Sequence, residues 1–192
     1  MKRFVWCAAV ASVAVTSSAQ ATSVVALNAD GLVRESQVIG VAQVLRTQVV
    51  SGPSGVVTLA ELQFYRALKG VERHDTMLVQ VPGGELIPGR ETRVDGAPKL
   101  KPGQMVLGFF HEHGGVMKPT GLSYGVMPVV SNADGVFRVL QRNGGLHFVD
   151  PDGRVSTEGP IRVHNRPLDE VLMLFQGVID AQRPPLEPGI QP

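Results

Sequence analysis

Cysteine and tryptophan each occur once, at Cys7 and Trp6, and both fall within the first 21 residues. Those residues read as an export leader. Lys2 and Arg3 form a short positive start, Phe4 to Val15 is an apolar run, and Ser17, Ser18 and Ala19-Gln20-Ala21 supply small residues before a cut after Ala21. An apolar run of 12 residues spans about 18 Å as a helix, too short for a hydrocarbon core of roughly 30 Å. A retained amphipathic helix is disfavoured because the run has no polar face. A lipoprotein leader is disfavoured because Cys7 comes too early and Trp6 is bulky.

With 1–21 removed, the remaining chain has no cysteine, so it is expected to have no disulfide, thiol nucleophile or thiolate metal ligand. Its stability must come from a buried core, which about 170 residues can form as one domain. Charge of one sign is also lacking. The chain has 18 basic and 17 acidic side chains, and losing Lys2 and Arg3 turns a formal +1 into −1. With no cluster of Lys and Arg, nucleic acid is an unsuitable partner, since its binding rests on phosphate contacts. No second apolar run approaches membrane-spanning length. The address read from the sequence is therefore exported, periplasmic or extracellular, with no membrane span in the mature chain.

Turn residues and short apolar segments fill what remains. Asn28 to Gln37 suits one short amphipathic helix, with Asp30 as its cap and Leu32 and Val33 facing inward. Val38 to Val50 is rich in β-branched residues and reads as a long strand. Ser51-Gly52-Pro53-Ser54-Gly55 is a turn. Val56 to Leu68 leaves two readings open. Ala60, Leu62, Phe64 and Leu68 alternate as in a strand, whereas Thr58 with Glu61, and Leu59, Leu62 and Tyr65, repeat as in a capped helix. Asp75 to Val81 alternates cleanly. Pro82 to Gly103 is a long connection dense in proline and glycine, and Met105 to Phe110 is a strand apolar on both faces.

Beyond Gly114-Gly115 the pattern predicts an antiparallel meander. Ser123–Val130 and Val136–Gln141 flank one turn, and Leu146–Val149 follows Asn143-Gly144-Gly145. The end is a helix. Leu168, Val171, Leu172, Phe175 and Ile179 form one stripe, with Pro167, Asp169 and Glu170 at its start. Residues 183–192 read as a proline-rich, disordered tail. The expected plan is a leader over 1–21, a single β-rich domain over 22–182, and that tail.

Three stretches, over roughly residues 30–140, carry a resemblance to a group of uncharacterised secreted bacterial proteins. They are Leu32–Ser36 leading into Val38-Ile39 and Val44; Ala67-Leu68-Lys69-Gly70 with Val81-Pro82-Gly83-Gly84; and Gly96-Ala97-Pro98, Leu100, Pro102-Gly103-Gln104, Val106-Leu107 and Phe109. The resemblance implies a small, OB-like β-barrel with an added helix, and a strand rather than a helix over Val56–Leu68. Ala42, Leu100 and Gln104 depart from it, standing where the group usually has glycine, phenylalanine and glutamate. The group lends no activity. The expected fold class is mainly β: a small antiparallel barrel (OB-like) or sandwich with a short N-terminal helix and a C-terminal amphipathic helix.

Few residues carry chemistry. On a strand, His111 and His113 of His111-Glu112-His113 share a face and form a candidate metal pair, with His74, His147 or His164 as a possible third ligand. The spacing is not the helical His-Glu-x-x-His of metalloproteases. No Gly-x-Ser-x-Gly elbow is present, and Ser123 has no motif around it. Pro82-Gly83-Gly84 reads as a strand-ending turn before an anion nest, and Asp150 and Asp152 as turn residues before calcium ligands. Tyr65 and Tyr124 read as half-buried sheet residues. No catalytic residue and no cofactor is predicted. The leading expectation is a secreted, non-enzymatic binding module for a partner protein or surface ligand, using exposed Glu85, Arg90, Glu91, Arg93 and Lys99 of the long connection. The alternatives are a metal-binding protein or metal-dependent enzyme centred on His111 and His113, and an inhibitor of secreted peptidases by analogy of fold alone.

Overall fold

The computed structural model describes residues 22–52, 55–143 and 145–184. The leader, Pro53-Ser54 of the first turn, Gly144 and the tail from residue 185 lie outside the described residues. In chain order the elements are β1 (Ser23–Val25), α1 (Ala29–Glu35), β2 (Val38–Gly52), β3 (Gly55–Lys69), β4 (Thr76–Pro82), β5 (Gly84–Ile87), β6 (Arg90–Thr92), β7 (Met105–His113) and β8 (Val116–Pro119). A single 3₁₀ turn (Leu122–Gly125) leads to β9 (Val126–Ser131), β10 (Phe137–Val139), β11 (His147–Val149), β12 (Val155–Ser156), β13 (Arg166–Pro167) and α2 (Leu168–Gln182).

The main sheet runs β13-β10-β9-β7-β2-β3-β4-β8, and β8 also pairs with β7. Pairing therefore returns to its start through β7–β2–β3–β4–β8–β7. All joins in this circuit are antiparallel except β4 with β8, a parallel seam bridged at Val79 and Met117. The five strands roll around one core of Ala42, Val44, Leu62, Phe64, Val106 and Phe110, with Leu100 from the long connection. A second core lies on the other face. There Ile39, Val41, Leu107 and Phe109 meet α1, α2 and the small sheet. Successive residues of β2 and β7 thus feed opposite cores, which is why β7 is apolar at every position from Val106 to Phe110 apart from Gly108.

Val56–Leu68 is a strand, as the resemblance implies. Its helical signals lose because every residue from Val56 to Gln63 has a partner on β2, where only Leu45, between Val44 and Arg46, is skipped. Helix α1 starts at Asn28, not at Asp30: the Asn28 side chain accepts the Gly31 N–H at 2.8 Å. Asp30 sits in the first turn, where its charge faces the helix's positive end. Helix α2 buries Leu168, Val171, Leu172, Phe175 and Ile179, the predicted stripe. Each such burial contributes roughly 1.5–3 kcal/mol. The Phe175 ring stands edge-on to Phe109 at 4.7 Å.

Three local features differ from the sequence pattern. Ser123–Val130 is not one strand, because the backbone turns through left-handed Gly121 and Leu122 (φ 70° and 57°) into the 3₁₀ turn before β9 begins. Tyr124 in that turn is buried rather than half-exposed. The meander stops at β10, whose free side is taken by β13; β11 pairs in parallel with β1 and antiparallel with β12 in a separate sheet. Finally, the connection from Pro82 to Gly103 contains the β5–β6 hairpin. Its turn is Pro88-Gly89, with Gly89 at the φ of 79° that a type II turn requires.

Candidate functional site

The tip of the β7–β8 hairpin builds one wall of a cleft of about 820 Å³ that opens to solvent. Its turn, Gly114-Gly115, has both residues at positive φ, 66° and 77°, as a two-residue hairpin turn matching strand twist demands. The register places His111 opposite Lys118 and His113 opposite Val116. These four side chains therefore share the face that Leu107 and Phe109 occupy further down β7. The other walls come from Val24, Val25 and Leu27 at the first strand, Val56 and Val57 of β3, Val94 beyond the hairpin, and Leu122. The lining is mostly apolar, with His111, His113, Lys118, Gln80 and Thr92 as its polar side chains.

His111 is held from behind. Its Nδ1 lies 3.2 Å from Thr120 Oγ1, which lies 3.0 Å from Ser36 Oγ, which lies 2.7 Å from the Leu32 carbonyl oxygen. Both hydroxyl residues are buried. Each hydroxyl has one proton, and a carbonyl only accepts. Ser36 therefore donates to Leu32, Thr120 donates to Ser36, and His111 Nδ1–H donates to Thr120. This network assigns the tautomer and leaves Nε2 as the nitrogen without a described partner. Burial pushes the His111 pKa down, helped by the charges of His113 and Lys118 and opposed by Glu35. The ring therefore favours its neutral form, with an unprotonated Nε2.

His113 stands beside it, ring centres 6.5 Å apart. The strand thus brings the predicted pair together on one face. It does not bring a third ligand: among the described residues no three His, Cys, Asp or Glu side chains stand close enough to share an ion. His74 packs edge-on against Tyr65, His147 lies on β11 opposite Ser23, and His164 Nδ1 contacts the Gln141 carbonyl oxygen at 3.1 Å.

The predicted charged residues stand elsewhere. Glu85, Glu91, Arg93 and Lys99 line a second groove of about 430 Å³, between the β5–β6 hairpin and the β2–β3 arm, and Arg90 is exposed beyond it. They largely satisfy one another. Glu91 meets Lys99 at 2.5 Å and Arg93 at 3.5 Å. The hydrogen bond from Lys99 is the main reason the Glu91 carboxyl sits below its usual range. Glu85 Oε1 accepts the Gly89 N–H at 2.6 Å, bracing the turn.

The remaining candidates are structural. Gly83 N–H bonds to the Val56 carbonyl oxygen at 2.8 Å, and Thr58 Oγ1 donates to the Gly83 carbonyl oxygen at 2.7 Å. A side chain at Gly84 would collide with Thr58 and Val49, so this glycine pair docks the hairpin onto the sheet. Asp150 caps the β11–β12 turn by accepting the Arg154 N–H. Tyr124 Oη accepts the Ile161 N–H at 2.8 Å, which pins the 159–161 segment over the core. Sequence reasoning missed Thr120, Ser36 and Lys118 as partners of His111, and the valines of β1 and β3 as a common wall. Pairing of distant strands assembles them, and no local motif marks them. No helix among the described residues is long and apolar enough to cross a membrane. No protein-family model matches the chain, and comparison with curated proteins and with solved structures finds no similar one.

Proposed function

We propose that the protein is an exported, non-enzymatic binding module whose ligand occupies the cleft between β1 and the β7–β8 hairpin. The observation that carries this reading is the cleft itself. It is concave and mostly apolar, with few polar groups, and its volume falls in the roughly 300–1,000 Å³ range of small-molecule sites. The charged hairpin groove is a weaker candidate, because Glu91, Lys99 and Arg93 are already paired with one another. The exported address rests on Lys2-Arg3, the apolar run after it and the small residues up to Ala21. Mass analysis of the protein recovered from the producing cell tests it, with Thr22 as the expected first residue and Met1 as the contrary result.

Titration with Nile red, an uncharged apolar dye, tests the cleft. One saturable site with blue-shifted emission is expected, weakened at least about tenfold by Val25→Asp. Val25 is 69% exposed, so the substitution should leave stability within about 0.5 kcal/mol. Dye binding that is absent, or unchanged in the variant, contradicts the reading.

A second reading, divalent metal on His111 and His113, is favoured by Nε2 of His111, which has no partner among the described residues. Two imidazoles make a weak site, completed by water or by a ligand's own donors. Zinc titration of the wild type and of His111→Ala/His113→Ala separates the readings: metal held by the first and lost by the second supports it, and equal uptake removes it.

A further inference from the structure

We infer that the cleft takes a single-chain amphiphile carrying one carboxylate, its head group at Lys118 and its chain along the valine walls. The inference rests on the proposed binding role and names the ligand's chemistry. Three observations support it. First, among the described residues lining the cleft there is no aspartate or glutamate, and Lys118 carries the only permanently charged side chain. Second, the Lys118 side chain is half-buried as a whole and makes no salt bridge among the described residues. A cation without a protein counter-ion beside an apolar lining is complemented by a ligand's anion. Third, the register puts Lys118 directly across from His111, with His113 next along the same face. The titratable groups of the lining are thus gathered on one hairpin, while Val24, Val25 and Val56 add apolar lining from β1 and β3.

The nearby carboxylates do not fill this role. Glu35, on α1, is close enough to act on His111, but it already meets Arg34 at 3.2 Å. Glu112 alternates to the other face of β7, and its backbone N–H is taken by the Gln37 side chain. The geometry therefore offers a positive end and an apolar trough, which complement a carboxylate with an alkyl chain. A neutral lipid or a divalent cation would leave one half of the site unused.

Displacement of Nile red by decanoate and by decanol tests this. The two share a chain and differ in the head group. Decanoate should displace the dye at about tenfold lower concentration, the worth of one charge-assisted hydrogen bond. Lys118→Gln should erase that preference while leaving decanol unaffected. Circular dichroism of the Lys118→Gln variant checks that the sheet is retained. If decanoate and decanol compete equally, or Lys118→Gln keeps the preference, the head-group assignment fails and the cleft reading stands. If Nile red binds but neither compound displaces it, the amphiphile class is wrong. If the dye itself does not bind, the cleft reading falls first.

Discussion

His111 and Thr120 meet diagonally across the β7–β8 hairpin, Nδ1 to Oγ1 at 3.2 Å, and this contact leaves Nε2 as the ring nitrogen without a described partner. The Ser36 hydroxyl and the Leu32 carbonyl complete the chain behind it. Replacing Thr120 with valine keeps the volume but removes both the acceptor for His111 and the donor for Ser36. Nitrogen-15 NMR of the histidine ring should show the Nδ1–H tautomer in the wild type and a shift toward Nε2–H in Thr120→Val. The variant should lose about 1–3 kcal/mol of stability in denaturant titrations, since it strands buried polar groups. An unchanged tautomer would contradict the assigned direction of the network.

The depressed His111 pKa has a consequence for acid stability. Its first cause is burial, so the folded chain resists protonation more than the unfolded chain, whose histidines titrate near 6.5. The unfolded state therefore binds more protons in the window between its own pKa and the lower folded one. Stability is full above about pH 6.5 and falls as pH drops through that window. Denaturant midpoints at pH 7.5 and 5.0 measure this. The wild type should lose more on acidification than His111→Asn, which retains an N–H for Thr120 but does not titrate. Equal losses would show that His111 is not a source of acid sensitivity.

Tyr124 predicts the opposite limb. Burial pushes its phenol up to about 12, against the small counter-effect of the Ile161 N–H. A folded pKa above the unfolded value of about 10 means that stability is full below pH 10 and is lost as pH rises from 10 through 12. Tyr124→Phe removes this alkaline loss. It also deprives the buried Ile161 N–H of its acceptor, so stability at pH 7 should drop by about 1–3 kcal/mol. Denaturant titrations of both proteins at pH 7 and pH 11 check the two effects together. A wild type as alkali-resistant as the variant would contradict the phenol's role.

Gly40 and Gly108 lie opposite each other on β2 and β7, inside the ring of strands, where the Phe64 and Phe110 rings pack edge-on at 6.5 Å. A methyl group at Gly108 would stand 2.3 Å from the Phe110 ring, and one at Gly40 would stand 2.6 Å from the Arg66 carbonyl oxygen. Alanine at either position should cost about 1–3 kcal/mol through overpacking. Gly40→Ala should cost more, because a backbone oxygen yields less than a ring. Thermal unfolding of the two variants checks the order. A neutral Gly40→Ala would contradict the described fit of this core.

Most of the fold was legible where the pattern is long. The alternation of β2 and β4, the unbroken apolar run of β7 and the stripe from Leu168 to Ile179 are each long enough to mark buried positions. The choice between helix and strand at Val56–Leu68 was not open to local pattern, because Leu59, Leu62 and Tyr65 fit a helix equally well; cross-strand partners decide it. The β5–β6 hairpin was not legible within the long connection, because β5 and β6 are only four and three residues long, too short for alternation to show. His111 and His113 were legible as a pair because two residues of strand separate them by one full period. The cleft was not, because Val25, Val56, Lys118 and Thr120 carry no shared local signal and meet only when β1, β3 and β8 are in place.

The most direct measurement is amide chemical-shift mapping of the folded protein titrated with decanoate. The shifted signals should gather on Val24, Val25, Val56, His111, Val116, Lys118 and Leu122. Shifts gathered instead on Glu85, Arg90, Glu91, Arg93 and Lys99, or no shifts at all, would contradict that placement.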